Sequence, residues 1–298
     1  MPRTTRLCCL LAACAFIAAA PAVAHADDAA TTAKDVSVNE ALAAVLAAQP
    51  PDIKERYAAR HPAETLAFFE VMTGDVVIET LPGGGWYSGI LHPFLGEKGR
   101  LIGAHYPLAV LERFGWDKER LQSALDRNAN WPKTTLANAV VKGGAIDSFD
   151  ITQMPESING TADKILFIRS LHNLSRFNKD GGFLDKAIAE AFRALKPGGI
   201  AGVEQHRAPE TASDTWAEGS NGYLKPSKVI AVFEKAGFKL VATSEINANP
   251  KDKPTDKDNV WRLPPSLRGL EANSDAWRAN KEIGESDRIT LKFVKPAS

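Results

Sequence analysis

The chain has 298 residues, with 36 basic and 36 acidic side chains and therefore no formal net charge. That balance offers nothing for a nucleic acid to attract, and no charge block marks a tail. Length and composition fit one large or two small globular domains.

Residues 1–26 stand apart. Arg3 and Arg6 precede an apolar run over 7–20, and Ala24-His25-Ala26 forms a small-residue cleavage site before Asp27. This is the pattern of a cleaved secretory signal peptide, so the expected location is the periplasm or beyond. All three cysteines (Cys8, Cys9, Cys14) leave with it, which removes disulfides, thiolate metal sites and cysteine nucleophiles. Leu11-Ala12-Ala13-Cys14 resembles a lipoprotein box and is the lesser alternative. After residue 26 no 18-residue apolar span occurs, so no stable membrane insertion is expected.

Residues 27–36 read as a polar linker. Ser37-Val38-Asn39-Glu40 is a capping box opening a helix with Val38, Leu42, Val45 and Leu46 on one face. Pro50-Pro51 ends it, and 53–59 and 63–71 read as two further helices. The helical segment thus covers 37–72, and the main domain 73–298.

That domain begins with its most informative stretch, DVVIETLPGGGWYSG over 75–89. Val76, Val77 and Ile78 form a β-branched strand closed by Glu79; Pro82 and three glycines break the chain; Trp86, Ile90, Leu91 and Phe94 follow at helical spacing. A glycine turn between a strand end and a helix start exposes backbone N–H groups to a ligand. It is equally an ordinary strand-to-helix turn.

Arg100–Ala104 reads as a second strand ending at His105. Helices over 108–114 and 118–127 follow, with Trp131-Pro132 as a break and a third strand near 136–141, Asp147 and Asp150 lying beyond it. Lys164–Ile168 is a fourth strand. Leu184, Ala187, Ile188, Ala191, Phe192 and Leu195 line one helix face, which stops at Lys196-Pro197-Gly198-Gly199. Ile200–Val203 is a fifth strand, followed by a helix from Pro226 and a sixth strand over 238–246. The polar stretch 247–286 is a long loop that either forms a lid or covers the sheet edge. Arg288–Val294 closes the chain. The alternation predicts a doubly wound, mostly parallel α/β sheet; the long final connection predicts an antiparallel last strand.

Three segments carry a resemblance. Glu79-Thr80-Leu81-Pro82-Gly83-Gly84-Gly85 places an acid before a glycine-rich loop, Leu195-Lys196-Pro197-Gly198-Gly199 precedes the fifth strand, and Ala236-Gly237-Phe238 precedes the sixth. With them the chain resembles the class I S-adenosylmethionine-dependent methyltransferases over about residues 75–295. Arg169-Ser170-Leu171-His172-Asn173-Leu174 is similar to the segment after the fourth strand in their small-molecule members. The Pro-Gly-Gly-Gly-Trp-Tyr and Asn-Pro-Lys-Asp segments are similar to a group of secreted predicted methyltransferases. The resemblance implies a Rossmann-like seven-stranded sheet, S-adenosylmethionine as cofactor and a small-molecule acceptor. It implies that Pro82, Gly83, Gly84 and Gly85 pass beneath the cofactor, that Glu79 meets its amino-acid end with Arg169 nearby, and that Asp150, with Asp147 in reserve, meets the adenine.

Two departures stand out. Leu81 replaces the usual first glycine of the loop, and His105 stands where the family has the acid that takes the ribose hydroxyls. An imidazole accepts one hydrogen bond where a carboxylate accepts two. Trp86 and Tyr87 are either an aromatic wall for a sulfonium or a core pair. For an acceptor that must lose a proton, a histidine is the suitable base. His172 is the first candidate, and His206 with Glu204 the second; His172 capping its helix is the plain alternative. Glu204, His206, His105 and His172 match no known metal spacing, so no metal is expected. The sequence therefore predicts either a methyltransferase acting on a small molecule or an exported, non-catalytic binding protein with a degenerate pocket.

Overall fold

The computed structural model describes Met1 and residues 40–297. The signal peptide, the three cysteines, the linker and the first three residues of the capping box lie outside the described residues. Helix α1 runs over 40–48 and buries Leu42, Val45 and Leu46, the face the spacing predicts. Pro51 does not only end that helix; it starts α2 (Pro51–Lys54) from the N1 position, where proline's missing N–H costs nothing. Two short helices follow, α3 (Tyr57–Arg60) and α4 (Pro62–Phe68).

The core is one seven-stranded sheet. Its strands are β1 (Val76–Thr80), β2 (Arg100–His105), β3 (Ala145–Asp150), β4 (Ala162–Ile168), β5 (Leu195–His206), β6 (Lys239–Ser244) and β7 (Arg288–Val294). They lie in the order β3-β2-β1-β4-β5-β7-β6. The first five are parallel, and β7 runs antiparallel to both β5 and β6. This is the doubly wound Rossmann-like arrangement expected, with its reversed last strand.

Alternation along the strands feeds two apolar layers. Val77, Leu101 and Leu166 face α1, α4 and α5 (Ser88–Leu95), against Leu66, Ile90, Leu91 and Leu95. Ile78, Ile102, Ile165 and Phe167 face the other side, where, after the short α8 (Leu171–Arg176) and α9 (Asn178–Gly181), α10 (Phe183–Ala194) contributes Leu184, Ala187, Ile188 and Ala191, and α11 (Pro226–Lys235) contributes Val229 and Phe233. Each of the larger side chains so buried contributes about 1.5–3 kcal/mol.

Three expectations are corrected. Trp131-Pro132 is no break: α7 runs unbroken over Lys118–Ala137, after α6 (Leu108–Arg113). Asp117 caps it by accepting from the Arg120 N–H at 2.7 Å, and buried Trp131 pins it to the sheet. Residues 136–141 are consequently not a strand. The third strand is β3, and Asp147 and Asp150 lie within it rather than beyond it. Last, Leu195-Lys196-Pro197-Gly198-Gly199 belongs to β5 as an irregularity, across which the pairing to β4 shifts register.

The long stretch 247–286 is tied down. Buried Asp252 accepts from the Tyr223 hydroxyl at 3.0 Å, Arg262 at 2.9 Å and the Asp287 N–H at 3.0 Å. Trp216 stacks on Tyr223 in a small separate core with Val260. The stretch contains helix α12 (Asp275–Ile283).

Candidate functional site at the glycine turn

In open α/β sheets ligands bind at the carboxyl ends of the strands, where the strand order reverses. Here that point lies between β1 and β4. The Thr80 hydroxyl donates to the Leu166 carbonyl at 3.0 Å and lies 2.7 Å from the Ser170 hydroxyl, which ties the two strand ends together. Glu79, on β1, is buried and accepts from the Ser88 hydroxyl at 2.6 Å. Burial raises its carboxyl pKa to about 7.

The turn after β1 is a left-handed one. Leu81 has φ 50°, Gly83 57° and Gly85 76°. Leu81 thus keeps the conformation for which glycine is the usual choice, at a strain of about 1–2 kcal/mol, offset by packing its side chain against the core. The turn separates two cavities that share Gly83 and Gly84 as a common wall. One, of about 560 Å³, is lined by Glu79–Gly84, Trp86, Tyr87, Ile168 and Arg169, and by Asp52, Ile53, Glu55, Arg56 and Arg60 from α2, α3 and the turn between them. The other, of about 680 Å³, lies between Gly83–Gly85 and the polar face of α7, which presents Gln122, Ser123, Asn130, Trp131 and Thr134 among others.

Of the residues singled out in the sequence, Glu79, Pro82, Gly83, Gly84, Trp86 and Arg169 meet on the first cavity; Gly85 lines the second. One face of Trp86 is already taken by the Arg60 guanidinium, 4.6 Å from the ring centroid.

The remaining candidates lie elsewhere. His105 ends β2 in register with Asp150, buried edge-on against Trp131 at 5.5 Å between ring centroids. Trp131 can lie there because residue 103 is glycine: a Cβ would stand 2.7 Å from the indole. Burial lowers the His105 pKa to about 4, so the ring is neutral. Its Nε2 has no partner among the described residues. Asp150 ends β3 as a turn cap, accepting from the Thr152 N–H and hydroxyl, both at 2.7 Å. Asp147, the reserve, pairs with Arg100 at 2.7 Å. Neither aspartate lines either cavity.

Glu204 is not positioned as a base. It is fully buried and accepts from Arg169 at 2.7 Å and Arg288 at 2.9 Å. Burial works to raise its pKa, yet the two guanidiniums hold it below the usual value. His206 Nδ1 lies 2.6 Å from the Ser286 hydroxyl; burial, with the neighbouring His172, drives its pKa well down. His172, in α8 (Leu171–Arg176), is buried, with His206 and Trp261 rings at 5.5 and 6.0 Å, and burial lowers its pKa to about 4. None of these three lines the cavities at the glycine turn, and neither does any residue of 247–286.

Arg60 and the polar face of α7 escaped the sequence reading. Arg60 sits in a four-residue helix with no periodicity to flag it, and α7 was divided at Trp131-Pro132.

No protein-family profile and no curated protein matches the chain. Solved structures of similar fold include an S-adenosylmethionine-dependent methyltransferase from Aquifex aeolicus, at 15% identity over 83% of this chain and 98% of that one, TM-score 0.47. The YcgJ protein of Bacillus subtilis aligns at 16% identity over 80% and 98%, TM-score 0.44. An arsenic(III) methyltransferase from Chlamydomonas reinhardtii aligns at 14% over 86% and 73%, TM-score 0.43. At such identities the likeness is one of architecture. The class that the strand order and the reversed last strand define is a Rossmann-like, doubly wound α/β fold.

Proposed function

We propose that this chain is an exported enzyme that transfers a methyl group from S-adenosylmethionine to a small-molecule acceptor. The observation that carries this reading is the left-handed glycine turn at the β1/β4 switch point, with a cavity on each side sharing Gly83 and Gly84. An elongated ligand with a nucleoside end and an amino-acid end suits that pair of spaces. Glu79 and Arg169 would hold the amino-acid end, and the α7 face beside Gly83–Gly85 the nucleoside end. Bound there, the sulfonium supplies an electrophilic methyl group. The protein's own contribution is to orient the acceptor in line with it, which alone is worth several kcal/mol of barrier. For an acceptor that must lose a proton, His172 serves as the base of this reading only if the acceptor reaches beyond the two cavities, since its buried ring lines neither of them.

Two observations favour a second reading, an exported binding protein without turnover. The ribose acid's place holds a neutral histidine packed under Trp131, and Glu204 and His206 are engaged with Arg169, Arg288 and Ser286. Calorimetric titration with S-adenosylmethionine and S-adenosylhomocysteine separates the two. Micromolar binding followed by methylation of an acceptor supports the enzyme. Binding without turnover across an acceptor screen supports the second reading, and no binding at millimolar ligand refutes the cofactor assignment.

A further inference from the structure

The charges beneath the smaller cavity do not balance. Arg60 bonds Glu285 at 3.0 Å, Arg169 and Arg288 both bond Glu204, and Arg288 also reaches Glu285 at 3.4 Å. Three guanidiniums thus share two carboxylates. Arg60, Arg288 and Glu204 are buried, and Glu285 and Arg169 are mostly so. The fixed excess is one positive charge, and a buried charge without a counter-ion is unfavourable.

The excess faces the cavity. Arg60 uses its Nε on Glu285, and Arg169 one Nη on Glu204. The other N–H groups of both have no partner among the described residues, and both side chains line the cavity wall. Other charges nearby do not cancel the excess. Asp52 and Glu55 are exposed at the rim, where solvent screens them, and Arg56 lies beside them. Glu79, which accepts from Ser88, has a pKa of about 7 and so offsets only part of the excess at neutral pH. Trp86, Tyr87 and Ile168 supply apolar wall.

We propose that this cavity is a binding subsite for a small organic carboxylate, held by the free N–H groups of Arg60 and Arg169 with its apolar part against Tyr87 and Ile168. A single negative charge is enough to balance the positive excess that the carboxylates of the cluster leave. The planar fork of a guanidinium matches the two oxygens of a carboxylate. A dianion such as phosphate would overshoot the charge and meet Glu79 and the acidic rim. The carboxylate has two possible sources, the amino-acid end of the cofactor or the methyl acceptor. The charge count concerns the protein alone and stands whether or not methyl transfer occurs.

The test is calorimetric titration of the full chain with benzoate and with benzamide, which share a shape and differ in charge. Benzoate is expected to bind about tenfold or more tighter than benzamide. Arg60→Gln, which leaves Glu285 paired with Arg288, is expected to remove that preference. Equal binding of the two probes, or no benzoate binding at tens of millimolar, overturns the proposal. So does an Arg60→Gln protein that folds and keeps the full preference; should it not fold, the two probes on the unaltered protein decide. Repeating the benzoate titration with saturating S-adenosylhomocysteine identifies the source. Displacement assigns the subsite to the cofactor's carboxylate, and simultaneous binding assigns it to the acceptor. If S-adenosylhomocysteine does not bind while benzoate is preferred, the methyltransferase reading fails and the carboxylate subsite stands.

Discussion

Replacing Glu204 by Gln removes one negative charge from the centre of the buried Arg60, Arg169, Arg288, Glu204 and Glu285 cluster while preserving side-chain volume. Glu204 is 0% exposed and is the shared partner of Arg169 and Arg288. In the variant three guanidiniums face Glu285 alone. The new amide also points N–H donors at groups that are themselves only donors. Breaking a buried pair on one side costs about 3–5 kcal/mol; the amide oxygen retains one accepted bond worth about 1 kcal/mol. The expected loss is therefore about 2–4 kcal/mol. With a urea slope of about 3 kcal/mol/M for a chain of this size, the unfolding midpoint falls by about 1 M. Arg169→Gln in the same chain restores part of the balance, so the double variant should be more stable than the two single losses predict, by about 1 kcal/mol or more. A midpoint shift under about 0.3 M, or strictly additive losses, would refute the structural role. Loss of turnover with unchanged stability would instead return Glu204 to the chemistry.

The other predictions concern the same end of the sheet. Stability should fall with acid below pH 6.5. His105 and His172 ionise near 4 in the folded chain and at the ordinary value of 6.5 when unfolded. Across that window the unfolded state takes up protons the folded state refuses, costing about 1.4 kcal/mol per pH unit for each ring. Glu79 acts oppositely: its folded pKa of about 7 exceeds 4.5, so its folded carboxyl holds a proton the unfolded one releases, and stability from it rises as pH falls from 7 to 4.5. Two histidines outweigh one glutamate, so urea midpoints measured from pH 6.5 to 4.5 should decline, and a flat or rising series refutes the burial of the rings. Gly103→Ala drives a methyl to 2.7 Å from Trp131 and 2.9 Å from His105 Nε2; it should cost about 1–3 kcal/mol in chemical unfolding, and a loss below about 0.5 kcal/mol would contradict the packing described. His105→Asp restores a two-acceptor group at the end of β2 and should tighten S-adenosylmethionine binding in calorimetry; no gain ends the ribose assignment for this position.

The architecture was legible because it rests on burial that alternates or runs continuously. Val76–Ile78, Lys164–Ile168 and the Leu184–Leu195 face read correctly, since each lies in an apolar layer that only one arrangement satisfies. The third strand was not legible. β3 sits at the sheet edge, is nowhere fully buried and carries two aspartates, so its pattern lacks the apolar content that marks a strand. Residues 136–141 have that content, yet Leu136 and Val141 are exposed. Pro132 misled because a proline's helix-breaking tendency is local, whereas Trp131 is held by a contact to Gly103 that no spacing reveals. The glycine turn was read in its right place, and Leu81 shows that its left-handed geometry survives the loss of the usual residue. The three histidines fall at strand ends as the pattern predicts, but proximity to a strand end does not say whether a side chain faces a cavity, and none of the three lines the two at the glycine turn. Arg60 came from outside the sheet altogether, joined to it by Glu285 across 225 positions, a pairing that one sequence does not disclose.

Glu79 connects the cavity's charge to its proton balance. Its pKa of about 7 is the outcome of burial, which raises it, opposed by the Ser88 hydroxyl and the positive charge of Arg169. A carboxylate bound to Arg169 cancels that charge and adds a negative one beside Glu79, and both changes push the Glu79 pKa up. Near pH 7 the group is partly ionised when the cavity is free and more protonated when an anion is bound, so binding takes up a fraction of a proton. Benzoate titrations at pH 7 in buffers of different ionisation enthalpy should therefore give observed enthalpies that rise or fall in proportion to the buffer's own. Glu79→Gln should abolish that proportionality while benzoate still binds. An observed enthalpy independent of buffer in the unaltered protein would mean that the anion binds out of range of Glu79, and so not on the Arg169 side of this cavity.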